Sequence, residues 1–190
     1  MRKASESRRT KETNITVELC LDGGEVEVST GIGFFDHMLT AFAVHGRFGL
    51  HLHAEGDLFV DCHHTVEDTG IVLGKAFAKA LGDKSGIARY GSFYIPMDES
   101  LAFTSLDISG RPFLVFHADF QQDRIGDFDT CMTEEFLRAF AMNSGITLHC
   151  SVLYGTNAHH QIEAIFKSLG HALHQAVAQQ DGTLSTKGVL

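Results

Sequence analysis

A repeat inside the chain limits what it can fold into more than any other feature. His63-His64-Thr65-Val66-Glu67 returns as His159-His160-Gln161-Ile162-Glu163 at an offset of 96 residues, and at the same offset Leu73, Gly74, Ala76 and Ala80 match Leu169, Gly170, Ala172 and Ala176. Upstream, Leu39-Thr40-Ala41-Phe42-Ala43 resembles Leu137-Arg138-Ala139-Phe140-Ala141 at an offset of 98, so a two-residue gap reconciles the two alignments and places Glu135 where His37 stands. Chance would supply about 0.04 His-His-x-x-Glu motifs in a chain of this composition, so two in register mark one element used twice. The product is a pseudo-symmetric pair of half-domains, about 1–90 and 91–190, within one domain spanning 1–190.

Hydrophobic periodicity fills in the elements. Ile15, Val17, Leu19 and Leu21 alternate with polar residues, Asp22-Gly23-Gly24 offers a turn, and Val26 and Val28 alternate again, which predicts a β-hairpin. Phe35, Met38, Leu39, Phe42 and Ala43 follow helical spacing, with Gly46 placed to end the helix. A strand through Leu50 and Leu52 leads to a second helix whose stripe is Val66, Leu73, Phe77, Ala80 and Leu81. Strands over 90–107 and 112–119, joined by a turn at Ser109-Gly110-Arg111, then a helix (133–143), a strand (146–154) and a helix (159–179) complete the order. That order predicts an α+β fold of internally duplicated half-domains, each a mostly antiparallel sheet with helices packed on one face. The first thirteen residues carry Arg2, Lys3, Arg8, Arg9 and Lys11 with almost no apolar content and read as a mobile arm.

The repeated motif has the chemistry of a metal ligand set. Residues four apart share a helix face, so His63 with Glu67, and His159 with Glu163, can each grip one ion. Adjacent histidines diverge by about 100° and should reach different ions, so two sites follow more naturally than one. The candidate ligands are His37, His63, His64, Glu67, Glu135, His159, His160 and Glu163, with His149 competing against Glu135 for a place. Imidazole with carboxylate suits manganese, iron or zinc, and the cysteines Cys20, Cys62, Cys131 and Cys150, with no CxxC spacing, argue against structural zinc and read as reduced thiols. Which ligands share an ion, and whether sites are shared between halves or between subunits, stays open at this level.

The formal net charge of −9 speaks against nucleic acid or an anionic membrane as partner, and an anionic ligand would need a local basic pocket. No apolar run is long enough to span a membrane, and the start Met1-Arg2-Lys3-Ala4-Ser5-Glu6 lacks a secretory core, so a cytoplasmic protein is expected.

The chain resembles the imidazoleglycerol-phosphate dehydratase family along nearly its whole length. The resemblance is carried by Arg9-Thr10-Lys11-Glu12-Thr13, by Ser29-Thr30-Gly31-Ile32-Gly33-Phe34-Phe35-Asp36-His37-Met38-Leu39, and by Asp61-Cys62-His63-His64-Thr65-Val66-Glu67-Asp68-Thr69-Gly70. It continues through Ile95-Pro96-Met97-Asp98-Glu99, Leu106-Asp107-Ile108-Ser109-Gly110-Arg111-Pro112, the stretch from His159-His160 to Phe166-Lys167, and Ser185-Thr186-Lys187-Gly188. It implies dehydration of imidazole glycerol phosphate to imidazole acetol phosphate in histidine biosynthesis, with two manganese ions per subunit bridged by the substrate's imidazolate and a diazafulvene-like intermediate. It also implies a homo-oligomer, a 24-mer built from trimers, with metal sites at subunit interfaces. Glu12 would be the proton shuttle and His45 a substrate contact, while Arg89, Arg111, Lys167, Ser185 and Lys187 would hold the phosphate. The chain departs from the pattern at Glu135, where many relatives carry histidine, and at Cys131, where glutamate is expected. From the sites alone, rival readings are a dinuclear metallohydrolase and a metal-storage protein; the strand patterns disfavour a ferritin-like bundle.

Overall fold

The structure is a computed structural model and describes residues 1–182 and 184–185. The first half runs β1 (Lys3–Arg9), β2 (Thr13–Cys20), β3 (Val26–Ser29), α1 (Gly33–Gly46), β4 (Gly49–Gly56) and α2 (His63–Leu81). The second runs β5 (Tyr90–Met97), β6 (Ser100–Asp107), β7 (Phe113–His117), two short strands β8 (Arg124–Ile125) and β9 (Phe128–Asp129), α3 (Met132–Ser144), β10 (Thr147–Tyr154) and α4 (Ala158–Ala176). The two main sheets have the same topology, β1-β2-β4-β3 and β5-β6-β10-β7. The duplicated α+β architecture is therefore present at the level of strand order, beyond the motif.

Two hairpin expectations are corrected. β2 and β3 do not pair: β4 lies between them, antiparallel to β2 and parallel to β3. Likewise the turn at Ser109-Gly110-Arg111 does not join paired strands, because β10 is inserted, antiparallel to β6 and parallel to β7. Alternation shows that a segment is a strand but does not reveal its neighbour. In each half the following helix carries the chain across the sheet, and a strand with buried apolar residues (Leu50, Leu52, Ala54; Leu148, Cys150) takes a central place.

The expected mobile arm is also corrected, since Lys3–Arg9 forms an edge strand paired with β2 from Lys3↔Cys20 to Arg9↔Asn14. Its inward-facing residues are largely charged and are held by α2 through ion pairs: Glu6 with Lys79 at 2.9 Å and Arg8 with Asp68 at 2.9 Å. Arg2 fastens the start by hydrogen bonds to the Asp22 carboxylate and to the carbonyl of Val177. An anchor made of charges leaves no apolar periodicity to read. Only the turn 10–12 lies outside the ladder, and there the Thr10 hydroxyl accepts from the amides of Glu12 and Thr13.

The four helices lie between the two sheets, and the helix pairs cross the pseudo-symmetry: α2 packs on α3, and α1 on α4. Phenylalanines fill this layer, with Phe35 in contact with Phe128, Phe136 and Phe166, and Phe42 with Phe48 and Phe140. Each such buried ring stabilises the fold by about 1.5–3 kcal/mol relative to exposure. The repeated glycines set the crossing distance. A Cβ on Gly74 would sit 2.7 Å from the Phe140 carbonyl oxygen, and one on Gly170 would sit 2.6 Å from that of Phe42.

Candidate metal centre

The crossing of α1 and α4 brings three expected ligands together. Glu163 Oε2 lies 3.0 Å from His159 Nε2 and 3.4 Å from His37 Nε2, and the three ligand atoms all fall within 4.8 Å of one another. His159 and Glu163 are one turn apart on α4, as the i, i+4 argument requires; His37 arrives from the other half on α1. Two imidazole nitrogens facing one buried carboxylate are a donor set that fits a borderline divalent ion. Lys167, a further turn along α4, donates to Glu163 Oε1 at 2.8 Å. Burial pushes the Glu163 carboxyl up, but Lys167, His37 and His159 together outweigh it and hold the group below its usual range.

The pseudo-equivalent arrangement at α2 and α3 is looser. His63 Nε2 is 3.5 Å from Glu67 Oε2, and His63 and Glu135 line one surface cavity of about 450 Å³ together with Cys131 and Phe120. Glu135 is 4.0 Å from Arg138 on its own helix. The second histidine of each motif turns away from the first, with rings at 73° for His63 and His64 and 79° for His159 and His160. His64 Nδ1 donates to Asp57 at 3.0 Å, and His160 Nδ1 donates to Glu99 at 2.7 Å. Those hydrogen bonds raise both imidazoles above their ordinary range. Conversely, Glu99 is held far below the usual carboxylate range, first by His160 and then by the amides of Asn157 and Thr156.

His45 lies two turns along α1 from His37, and its Nδ1 is 3.0 Å from Nε2 of His171, whose ring stacks on Phe93 at 4.2 Å. Burial, then the charge of Lys167, pulls His45 down; burial, then His45, does the same to His171. His159, Glu163, Lys167 and His171 thus form one polar stripe along α4. Glu12, in the β1–β2 turn, has a carboxylate oxygen 3.9 Å from His64 Nδ1.

The basic residues divide. Arg89 makes a two-pronged pair with Asp107 at 2.7 and 3.2 Å, and Arg111 reaches the same carboxylate at 3.4 Å. Arg89 also donates to the carbonyl of Leu184, beside Ser185. Lys167 instead serves Glu163, and Lys187 lies outside the described residues. His51, His53 and His149 sit on exposed outer faces of the sheets, so His149 is not gathered with the other ligands of its own chain. The sequence reading missed Asp57 and His171 and left Glu99 without a role. Glu99 and His171 meet their histidines across long stretches of chain, 61 and 126 residues, and Asp57 reaches His64 from a loop seven residues upstream; neither helical nor strand periodicity reports such contacts. The four cysteines are free thiols, and among the described residues no helix is long and apolar enough to cross a membrane.

A family model described as imidazoleglycerol-phosphate dehydratase matches residues 30–173. The chain is 59% identical to the imidazoleglycerol-phosphate dehydratase of Bacillus cereus (strain AH820) and 58% identical to that of Bacillus thuringiensis (strain Al Hakam), in both cases over the full length of both chains. Its fold matches the crystal structure of imidazoleglycerol-phosphate dehydratase from Staphylococcus aureus with a TM-score of 0.85 at 40% identity, covering 93% of this chain and all of that one. The Pyrococcus furiosus structure, in complex with (S)-C348, gives 0.86 at 39% identity, covering 97% and 99%.

Proposed function

The chain belongs to the imidazoleglycerol-phosphate dehydratase family, a family of hydro-lyases of histidine biosynthesis, and on that premise we propose that it dehydrates imidazole glycerol phosphate at two manganese sites, with Glu12 moving the proton. The observation that carries this reading is the convergence of His37, His159 and Glu163 from opposite halves of the chain on one point. These three would hold one ion. The other would draw on His63, His64, Glu67, Glu135 and His160, whose open, exposed geometry suits completion by a neighbouring subunit.

Held by these side chains, manganese would supply Lewis-acid stabilisation of the substrate's deprotonated imidazole ring, the form that can donate electrons to push out the side-chain hydroxyl. The remaining work belongs to the chain. Glu12 stands at a turn with its carboxylate exposed and its amide fixed by Thr10, so it can take the proton whose removal accompanies loss of water and return one as the enol becomes the ketone. His45 is pulled below the ordinary imidazole range by burial, then by Lys167, and presents a ring already anchored through Nδ1 for contact with substrate. Arg89 and Arg111, brought together by Asp107, offer planar donors to the phosphate, with Ser185 next to them and Lys187 further along the tail. Lys167 joins them in this reading; a cation bound at Glu163 would relieve it of its present partner.

A homo-oligomer, taken as a 24-mer of trimers in the cytoplasm, agrees with the exposed apolar surface at Tyr94, Phe113, Leu153 and Tyr154 on the second sheet and at Phe59 beside the motif. The decisive experiment is turnover of imidazole glycerol phosphate by metal-stripped protein before and after manganese is added. Manganese-dependent appearance of the acetol phosphate ketone is the expected result. Release of inorganic phosphate, or no ketone from folded, manganese-loaded protein, would overturn the reading.

A further inference from the structure

The two long edge hairpins end in equivalent carboxylates. Glu12 immediately precedes Thr13, the first residue of β2, and Glu99 immediately precedes Ser100, the first residue of β6; Thr13 and Ser100 are both buried. Each carboxylate faces the second histidine of its own half's motif through Nδ1, Glu99 at 2.7 Å from His160 and Glu12 at 3.9 Å from His64. The two have diverged. Glu99 is fully engaged: Oε2 accepts a hydrogen bond from His160 Nδ1 while Oε1 accepts from Ser100 and from the amides of Thr156 and Asn157. Glu12 is out of hydrogen-bond range of its histidine, and in its place Asp57, from the loop before α2, contacts His64 Nδ1 at 3.0 and 3.3 Å.

A carboxylate accepts only, so in both halves the proton sits on Nδ1, and in a neutral ring the lone pair then sits on Nε2, the atom left for a metal. Asp98 lies 3.7 Å from Nε2 of His160, too far to hold it. We propose that Glu99 and Asp57 are positioning residues that fix the ring and tautomer of His160 and His64 for metal binding through Nε2. By taking over this duty in the first half, Asp57 leaves Glu12, the counterpart of Glu99, free to carry a proton. This rests on the reading of His64 and His160 as metal ligands and of Glu12 as the shuttle.

The test measures manganese binding by the full-length, metal-stripped protein, using equilibrium dialysis with manganese alone, alongside turnover. Glu99→Gln is the sharp variant. Its oxygen stays pinned by two backbone amides, so its amide nitrogen meets Nδ1 as a donor and drives the proton to Nε2. Asp57→Ala removes the partner in the other half. Each should weaken manganese at one site by about 10- to 100-fold and leave the other site unchanged, as loss of an outer partner does elsewhere. Glu12→Gln should keep both ions at wild-type affinity and lose turnover. Wild-type manganese affinity in folded Glu99→Gln and Asp57→Ala overturns the positioning role while leaving the ligand assignment standing. Full manganese content in His64→Ala and His160→Ala overturns the ligand assignment itself, and the positioning role with it. Should Glu99→Gln fail to fold, the prediction for Asp57→Ala decides alone, because among the described residues that loop carboxylate anchors no backbone amide.

Discussion

The two His-His-x-x-Glu helix starts are near copies in sequence and differ in state. Glu163 is 8% exposed and is held by Lys167, His159 and His37, whereas Glu67 is 44% exposed with His63 as its ion-pair partner. Two single positions account for this. The residue one turn beyond Glu163 is Lys167, but the one at the matching place after Glu67 is Ile71; and the histidine that α1 sends to Glu163 has Glu135 as its counterpart on α3. A duplicated backbone can thus keep one packing scheme while its two sites take on different charge balance and different completeness.

The largest effect should come from the assembled side. Glu163→Gln removes a ligand and leaves Lys167 beside His37 and His159 without its carboxylate, so turnover should fall by more than about 100-fold, beyond what an outer partner costs. Glu67→Gln should retain binding at the α1–α4 site, and manganese titration of both variants checks whether the sites are independent. Packing should be blind to the difference. Gly74→Ala and Gly170→Ala each press a methyl group into a carbonyl of the facing helix, so both should lose about 1–3 kcal/mol in denaturant unfolding. A large disparity between them would show that the helix crossings are no longer equivalent.

A smaller effect separates the edge strands β1 and β5. Asp22 is held below the usual aspartate range first by the Arg2 amide and then by its guanidinium. A depressed carboxyl stabilises above its unfolded pKa, and that contribution is lost as pH falls through the folded value. Amide exchange in 3–9 should therefore accelerate below about pH 4, ahead of β5, and Asp22→Asn should remove the pH dependence. Smallest of all, Lys79→Ala breaks an exposed pair with Glu6 and should cost about 0.2–1 kcal/mol in thermal unfolding.

What the sequence disclosed follows from the range of each interaction. The repeat, the helices and the metal pairing are carried by residues three to four apart or by direct copying, and His37 and Glu135 became visible as counterparts once a two-residue gap was allowed. Strand neighbours were misread in both halves for the same reason, because β4 and β10 enter their sheets only after a helix. β1 escaped detection because Glu6 and Arg8 dock by charge. Glu99 and His171 act on partners far away in sequence, and Asp57 reaches His64 from an irregular loop seven residues upstream, so only the folded arrangement reveals them.

The exchange of helix partners between halves has a consequence in time. When α2 is complete, its packing partner α3 has not been synthesised, and α1 waits longer still for α4. At about 5–20 residues per second this leaves the apolar face of α2 without its partner for roughly 3–13 s and that of α1 for roughly 6–26 s. The first half therefore emerges as an unfinished surface, and the nascent chain depends on its own later copy to close it.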